Sequence, residues 1–312
     1  MKTVLITGGT GLVGIALTKL LLGKGYEIII LTRNPQKATA NSAFGNQVSY
    51  AVWDVAAQTI DVAAVQQADH IIHLAGAGVV EKRWTDSYKK EIVDSRVNSS
   101  KLLIDTLAKT PHHVKTFVSA SAIGWYNADS SQSLQEGFTE DAPAANNFLG
   151  ETCKLWEASI LPVEQLGIRR VCLRTGIVLA KEGGALAEFK KPIKLGVAAI
   201  LGSGKQIVSW IALEDLCQMY CFALENEAMT GSYNAVAPHP VSNKILTLTL
   251  AKAMKGKWFI PVHVPDFVLK MMLGESSIEV LKSTTVSSKK IEMAGYRFEL
   301  PAIEDAIKSL VY

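Results

Sequence analysis

The sequence predicts an α/β protein built on a doubly wound parallel sheet, and three observations carry that prediction. Short apolar runs of strand length alternate with helix-length segments through the first half of the chain. A glycine triplet joins the first run to the first helix, and 48% of the 312 residues are apolar, enough for one large core or for a main domain with a smaller partner.

The alternation starts with "KTVLIT", a continuous apolar strand, and the segment from Leu12 to Leu22 then repeats apolar residues at helical spacing. "EIIILT" is a second strand. After a polar stretch come "HIIHLAG", a helical run from Asn98 to Leu107, the strand "TFVSAS", the segment Leu149 to Leu166, and the strand "RVCLRTGIVL". Runs this apolar belong to strands covered by helices on both faces. Beyond about residue 180 the pattern becomes irregular, with Gly-rich "LGSGKQIVSWIALEDL" and Pro-spaced "FIPVHVPDFVLKMMLG". No internal repeat or Ser/Gly linker separates the halves, so they are expected to pack together and leave a cleft for a small ligand.

Composition narrows the partners. The net charge is +3, with Lys and Arg scattered among Asp and Glu, so neither nucleic acid nor a membrane is expected and a small-molecule substrate is. The apolar runs fall short of the roughly 18 to 20 residues of a membrane span, and "MKTVLITGGTG" reaches glycine too soon for a signal peptide. Four cysteines fit free thiols in the cytoplasm. Cys217 and Cys221 share a helix face but lack the further ligands of a zinc site, so no metal is expected. Oligomeric state is not legible.

"VLITGGTGLVG" places Gly8, Gly11 and Gly14 directly after a strand and at the start of a helix. Glycine there allows a tight turn, close approach of backbone N–H groups to a pyrophosphate, and close packing of helix on sheet. With Thr7, Leu12 and Val13 this loop is the expected dinucleotide cradle of a Rossmann-type domain. The second strand ends "ILTRNPQKA", with Thr32 and Arg33 where an NAD site would carry an Asp or Glu on the ribose. A guanidinium suits a 2′-phosphate, so NADP(H) is the expected cofactor.

With these glycines, "WDV", "HLAGAG" and "VSASAIGWY" in place, the chain is similar to the extended short-chain dehydrogenase/reductases. More narrowly it resembles the atypical branch called epimerase family proteins, through "SAIGWY", "PIKLG", "GSGKQIVSWI", "FVLKMMLGE" and "KIEMAGYRFELP". The resemblance implies a dinucleotide-binding domain over residues 1–180, with returning segments after 205, and a substrate-side region over 181–312 that includes a C-terminal module from about 260. It places Asp54 by the adenine, and Leu74, Ala75 and Gly76 along the ribose and pyrophosphate. Ser121 takes the role of the serine that orients the substrate, with Ser119 second, and Gln206 and Trp210 line the substrate side. Arg96 replaces an Asn common in the active-site helix, and Ala212 stands where many members have His.

The resemblance also exposes a gap. The superfamily moves its proton with a tyrosine whose pKa is lowered by a lysine four residues on. In "FLGETCKLWE" those positions are Leu149 and Cys153, and no tyrosine in the chain is followed four residues later by lysine. Cys153 and Tyr126 are the substitute acids to weigh, each against a packing role. Two functions follow: an NADP-dependent oxidoreductase or epimerase-like enzyme on a small polar substrate, or a non-catalytic NADPH-binding sensor or scaffold. "FLGETCKLWE" itself is expected to be a structural helix against the cofactor cleft.

Overall fold

Thr3–Thr7 is buried along its whole length and forms β1, the strand about which the molecule is ordered. The computed structural model describes residues 1–40 and 42–311. Helix α1 (Leu12–Gly23) leads to β2 (Glu27–Thr32), the short α2 (Pro35–Ala40) to β3 (Val48–Asp54), and a hairpin adds β4 (Thr59–Ile60). Helix α3 (Val62–Gln66) precedes β5 (His70–His73), and the long α4 (Asp86–Lys109) precedes β6 (Thr116–Ala122). Helices α5 (Ser133–Glu136) and α6 (Phe148–Ile160) come before β7 (Arg169–Thr175).

The second half runs through β8 (Ile177–Leu179), α7 (Gly184–Lys194), β9 (Val197–Leu201), β10 (Ile207–Val208) and β11 (Trp210–Ala212). Next come α8 (Leu213–Glu225), β12 (Gly231–Ala235), β13 (Val241–Ser242), α9 (Asn243–Lys255) and β14 (Ile260–Val264). Helices α10 (Asp266–Leu273), α11 (Ser277–Leu281), α12 (Lys289–Met293) and α13 (Ile303–Val311) complete the chain described.

The main sheet has the order β12-β7-β6-β5-β1-β2-β3-β4. All pairings are parallel except β3 with the hairpin strand β4. The chain builds outward from β1 in one direction through β2 and β3, then returns to place β5 on the other side of β1. That reversal opens a crevice at the carboxyl ends of β1 and β5, where doubly wound sheets hold ligands.

Period-two alternation sorts the strand residues between two layers. Leu5, Ile71, Phe117 and Cys172 face a core with Leu103 of α4 and Ile160 of α6. Val4, Ile6, Ile72, Val118 and Val171 face Leu17 of α1 and Met219 of α8. Each fully buried aliphatic side chain contributes about 1.5–3 kcal/mol relative to exposure. A third core joins α7, α9 and α13 with Trp210.

Three boundaries differ from the sequence reading. The helix read from around Asn98 begins at Asp86, where the Thr85 hydroxyl caps Tyr88 N–H. The α-helix read to Leu166 ends at Ile160, and Pro162 continues it as a 3-10 turn. "RVCLRTGIVL" divides at Gly176, whose N–H turns to Ala235 O while Ile177 N–H turns to Ser209 O.

The last segment is tied down by one carboxylate. Asp215 of α8, fully buried, accepts from the Tyr296 hydroxyl at 2.9 Å and from Glu299 and Leu300 N–H at 2.8 and 3.0 Å.

Candidate functional site

The crevice begins at the turn after β1. Gly8 sits at φ +68°, and a Cβ there would lie 2.9 Å from the Leu74 carbonyl carbon, so the two loops meet closer than a side chain permits. At Gly14 a Cβ would collide with Gly8 O, which lets α1 close on the turn. Helix α1 starts from Gly11 with no side-chain cap and no acidic residue in its first turn. Its first N–H groups and dipole are therefore available to an anion.

Thr7 fastens the facing loop. Its Oγ1 accepts from Leu74 N–H at 3.1 Å and Ala75 N–H at 3.2 Å and lies 2.7 Å from His73 Nδ1. Both lone pairs being occupied, the hydroxyl donates to Nδ1, which leaves the proton of the neutral ring on Nε2. Nε2 lies 3.2 Å from the hydroxyls of both Ser99 and Ser100 on α4. Those hydroxyls donate in turn to the Arg96 carbonyl. Burial, and then the Arg96 charge, push the His73 pKa down to about 3, so the ring is neutral. His73 was not among the expected site residues. Its signal in the sequence is a histidine closing a buried strand beside a Thr-Gly turn.

At the end of β2, Thr32 is half-buried and Arg33 is exposed. The Thr32 hydroxyl lies 3.5 Å from Asn34 N, while Asn34 caps Lys37 N–H at 2.9 Å and so starts α2. Arg33 forms no ion pair among the described residues, consistent with a guanidinium open to a phosphate. Asp54, ending β3, uses Oδ1 on Ala56 and Ala57 N–H, and these bonds hold the carboxylate in place.

Arg96 lies under the Leu74–Gly76 loop. A Cβ on Gly76 would lie 3.1 Å from its Cζ, and the guanidinium sits 4.9 Å over the Trp156 ring. Nη1 donates to Ala77 O and Ile92 O, while Nε and Nη2 have no acceptor among the described residues. The charge has no carboxylate partner among the described residues either.

Helix α6 carries the substituted pair. Asn147 caps Gly150 N–H, and Leu149 and Cys153 press their shared face against the serine segment. A Cβ at Gly124 would lie 3.2 Å from Leu149 Cβ and 3.6 Å from Cys153 Sγ. Burial pushes the Cys153 thiol up to about 12, so it stays protonated, and its Sγ lies 3.6 Å from Ala122 O. Of the two roles weighed for it, proton carrier and packing, this environment fits packing.

The same holds for Tyr126. Its fully buried hydroxyl donates to Asn234 Oδ1 at 2.6 Å and accepts from Arg174 Nη1 at 3.1 Å. Burial raises its pKa, and the ring stacks on Phe138. It belongs to a buried network absent from the sequence reading. Arg174 Nε and Nη2 donate to Glu157 at 2.8 and 3.0 Å, the Ser232 hydroxyl donates to Glu157 at 3.0 Å, and the Arg174 guanidinium lies 3.7 Å over the Trp125 ring. Ser121 donates to the same carboxylate at 2.7 Å, which fixes its hydroxyl at the end of β6. Ser119, also buried, lies 2.9 Å from Ala120 O.

Gln206 and Trp210 are both buried and hydrogen-bonded to backbone carbonyls. Gln206 Nε2 donates to Leu201 O at 2.9 Å, and the fully buried Trp210 donates its indole N–H to His239 O at 3.0 Å. Across the mouth, Lys89 of α4 pairs with Glu275 at 2.6 Å, and Arg83 donates to Met271 O. The module after β14 is thereby linked to the loop after β5.

Comparison with known proteins adds to this geometry. The model described as the NAD dependent epimerase/dehydratase family matches residues 4–236, and a second, described as a domain of unknown function, matches residues 264–310. The epimerase family protein YfhF of Bacillus subtilis is 34% identical over 310 residues, covering 98% of this chain and 97% of that one. The crystal structure of human epimerase family protein SDR39U1 with NADPH superposes with a TM-score of 0.85 at 29% identity, covering 99% of each chain. The nucleoside-diphosphate sugar epimerase of Corynebacterium glutamicum superposes with a TM-score of 0.76 at 31% identity, covering all of this chain and 58% of that one.

Proposed function

Because the chain belongs to the NAD dependent epimerase/dehydratase family, we propose that it binds NADP(H) in the crevice between β1 and β5. There it acts as an oxidoreductase or epimerase-like enzyme on a hydroxyl or carbonyl of a small polar molecule. One observation carries the reading: the turn after β1 and the loop after β5 are locked together by Thr7, leaving an uncapped helix N-terminus between them. The residues present fit a dinucleotide. Gly8 and Gly14 stand where side chains would fill the cradle. The N–H groups of Leu12 and Val13 are free to meet a pyrophosphate, while that of Gly11 closes the turn on Gly8 O. Thr32 and Arg33 would take a 2′-phosphate, Asp54 the adenine side, and Arg96 the loop side beneath Gly76.

When bound, the cofactor supplies hydride acceptance or donation at its nicotinamide. The protein's part is to hold and orient. Ser121, its proton directed to Glu157, keeps lone pairs on Oγ with which to accept from a substrate hydroxyl. Leu149 and Cys153 close one wall without a charge and exclude water. Helix α6 therefore moves no proton, and the superfamily's Tyr/Lys relay has no counterpart here.

That same absence favours the second reading, an NADPH-binding sensor or scaffold without turnover. The two are separated by incubating the NADPH-loaded protein with aldehydes, ketones and nucleoside-diphosphate sugars while following cofactor absorbance. Turnover abolished by Ser121→Ala supports the enzyme. Tight NADPH binding with no consumption across the panel supports the sensor, and failure to bind NADPH at all overturns both.

A further inference from the structure

Lysines scattered through the second half of the sequence are gathered by the fold. Residues 189–213 and 228–265 contain eight lysines and no aspartate or glutamate. These segments supply most of α7 and all of β9, α9 and β14, packed about Leu186, Ile193, Leu246 and Leu250. Eight positive charges exceed the chain's net +3, so everything outside the two segments is net negative. The molecule is a basic lobe on an acidic body.

The lobe has an apolar crest. Strand β14 runs parallel to β9 with Ile260 beside Val197, and Ile260 N–H donates to Gly196 O at 2.9 Å. Two residues before those paired positions stand Leu195 and Trp258, 85% and 87% exposed. Lys194 and Lys257 adjoin them in sequence, and Lys252 and Lys255 occupy the last turn of α9. None of these four lysines has a carboxylate partner among the described residues, whereas Lys191 is paired with Glu188 at 2.7 Å. Last-turn lysines offset a helix dipole, which accounts for Lys194, Lys252 and Lys255 but not for Lys257 or the exposed indole.

We propose that this lobe docks on an anionic lipid surface, with Trp258 and Leu195 entering the headgroup layer and the lysines facing lipid phosphates. An indole flanked by ammonium groups suits that boundary, where aromatic rings and basic side chains both gain. Charge and apolar insertion together supply the two signals that stable surface attachment takes. A second copy docked face to face would set like charges against each other, and a nucleic acid would leave Leu195 without a role. No described helix is long and apolar enough to cross a membrane, so the contact lies along the surface. The inference holds whether or not the crevice proposal does.

Co-sedimentation of the full chain with phosphatidylcholine vesicles, with and without phosphatidylglycerol, tests it. Binding is expected only with the anionic lipid and is lost in high salt. It should fall at least about tenfold in Lys194→Glu/Lys257→Glu and several-fold in Trp258→Ala, both variants keeping the wild-type thermal midpoint. Vesicle binding that ignores lipid charge or these substitutions overturns the proposal. So does capture of a single-stranded RNA oligomer in place of vesicles, or a wild-type dimer that Trp258→Ala dissociates.

Discussion

Thr7 Oγ1 and His73 Nδ1, 2.7 Å apart, join the carboxyl ends of β1 and β5 under the crevice. The bond determines which way the threonine hydroxyl points, and so leaves its lone pairs for the Leu74 and Ala75 N–H groups. Thr7→Val keeps the shape and removes the oxygen. Ala75 N–H then loses its acceptor, at about 1–3 kcal/mol, while Leu74 N–H keeps only the Thr7 carbonyl. The expected outcome is a thermal midpoint lowered by several degrees and NADPH affinity weakened more than tenfold, by calorimetry and fluorescence titration.

Acid sensitivity follows from the same strand. Burial pushes His73 down to about 3 and His70 down to about 4, whereas both titrate near 6.5 in the unfolded chain. Between those values the unfolded state binds more protons, so their contribution to stability is complete above pH 6.5 and declines as pH falls toward 3 to 4. Urea midpoints should decrease steadily from pH 7 to pH 4.5. His73→Gln should flatten the slope by about one proton, and an unchanged slope would count against a neutral buried His73.

In the proposed reading, cofactor choice rests on Arg33. Arg33→Ala should weaken NADPH binding about tenfold, the ~1.4 kcal/mol scale of one charge-assisted contact, and leave NADH binding unchanged. Equal loss for both cofactors would place Arg33 elsewhere than on a 2′-phosphate.

The missing lysine cannot simply be put back. Cys153 is buried on the face that also feels the Arg96 charge. Cys153→Lys would add an ammonium beside an unpaired guanidinium, and we expect loss of several kcal/mol in urea unfolding. Cys153→Ala should leave NADPH affinity within a few-fold. If it instead abolished turnover while binding held, the thiol would be the proton carrier.

Glu157 holds Ser121, Arg174 and Ser232 at once. Glu157→Gln leaves a buried guanidinium with a weaker acceptor and should cost about 3–5 kcal/mol. Any turnover should fall with Ser121 misaligned, even after comparison at temperatures where both proteins are folded.

What was legible in the sequence was local. Gly8, Gly11 and Gly14 lie within seven residues and advertise their turn, and Arg33 closes a strand whose end is readable. The buried network was hidden because Glu157, Arg174, Ser232 and Asn234 come from three separate elements, and in sequence each reads as an ordinary polar residue. Tyr126 was hard to place for the converse reason. An aromatic beside a motif looks like a pocket wall, and only tertiary packing shows which core it fills. The lysines of α7 and α9 are 50 to 65 residues apart along the chain, so composition averaged over the whole molecule concealed them.

The outermost parallel strand has a temporal meaning. β12 pairs with β7, and from it Ser232 and Asn234 reach Glu157 and Tyr126. A ribosome delivers residues 231–235 only after three-quarters of the chain has emerged. Until then β7 is an open edge, with unpaired backbone groups and an ion pair lacking part of its shell. The wall behind Ser121 is therefore among the last parts of the molecule to close. A nascent chain that has emerged as far as β7 already carries β1 and β5 but leaves that sheet edge unpaired, and an unpaired edge is exposed to strand-edge aggregation.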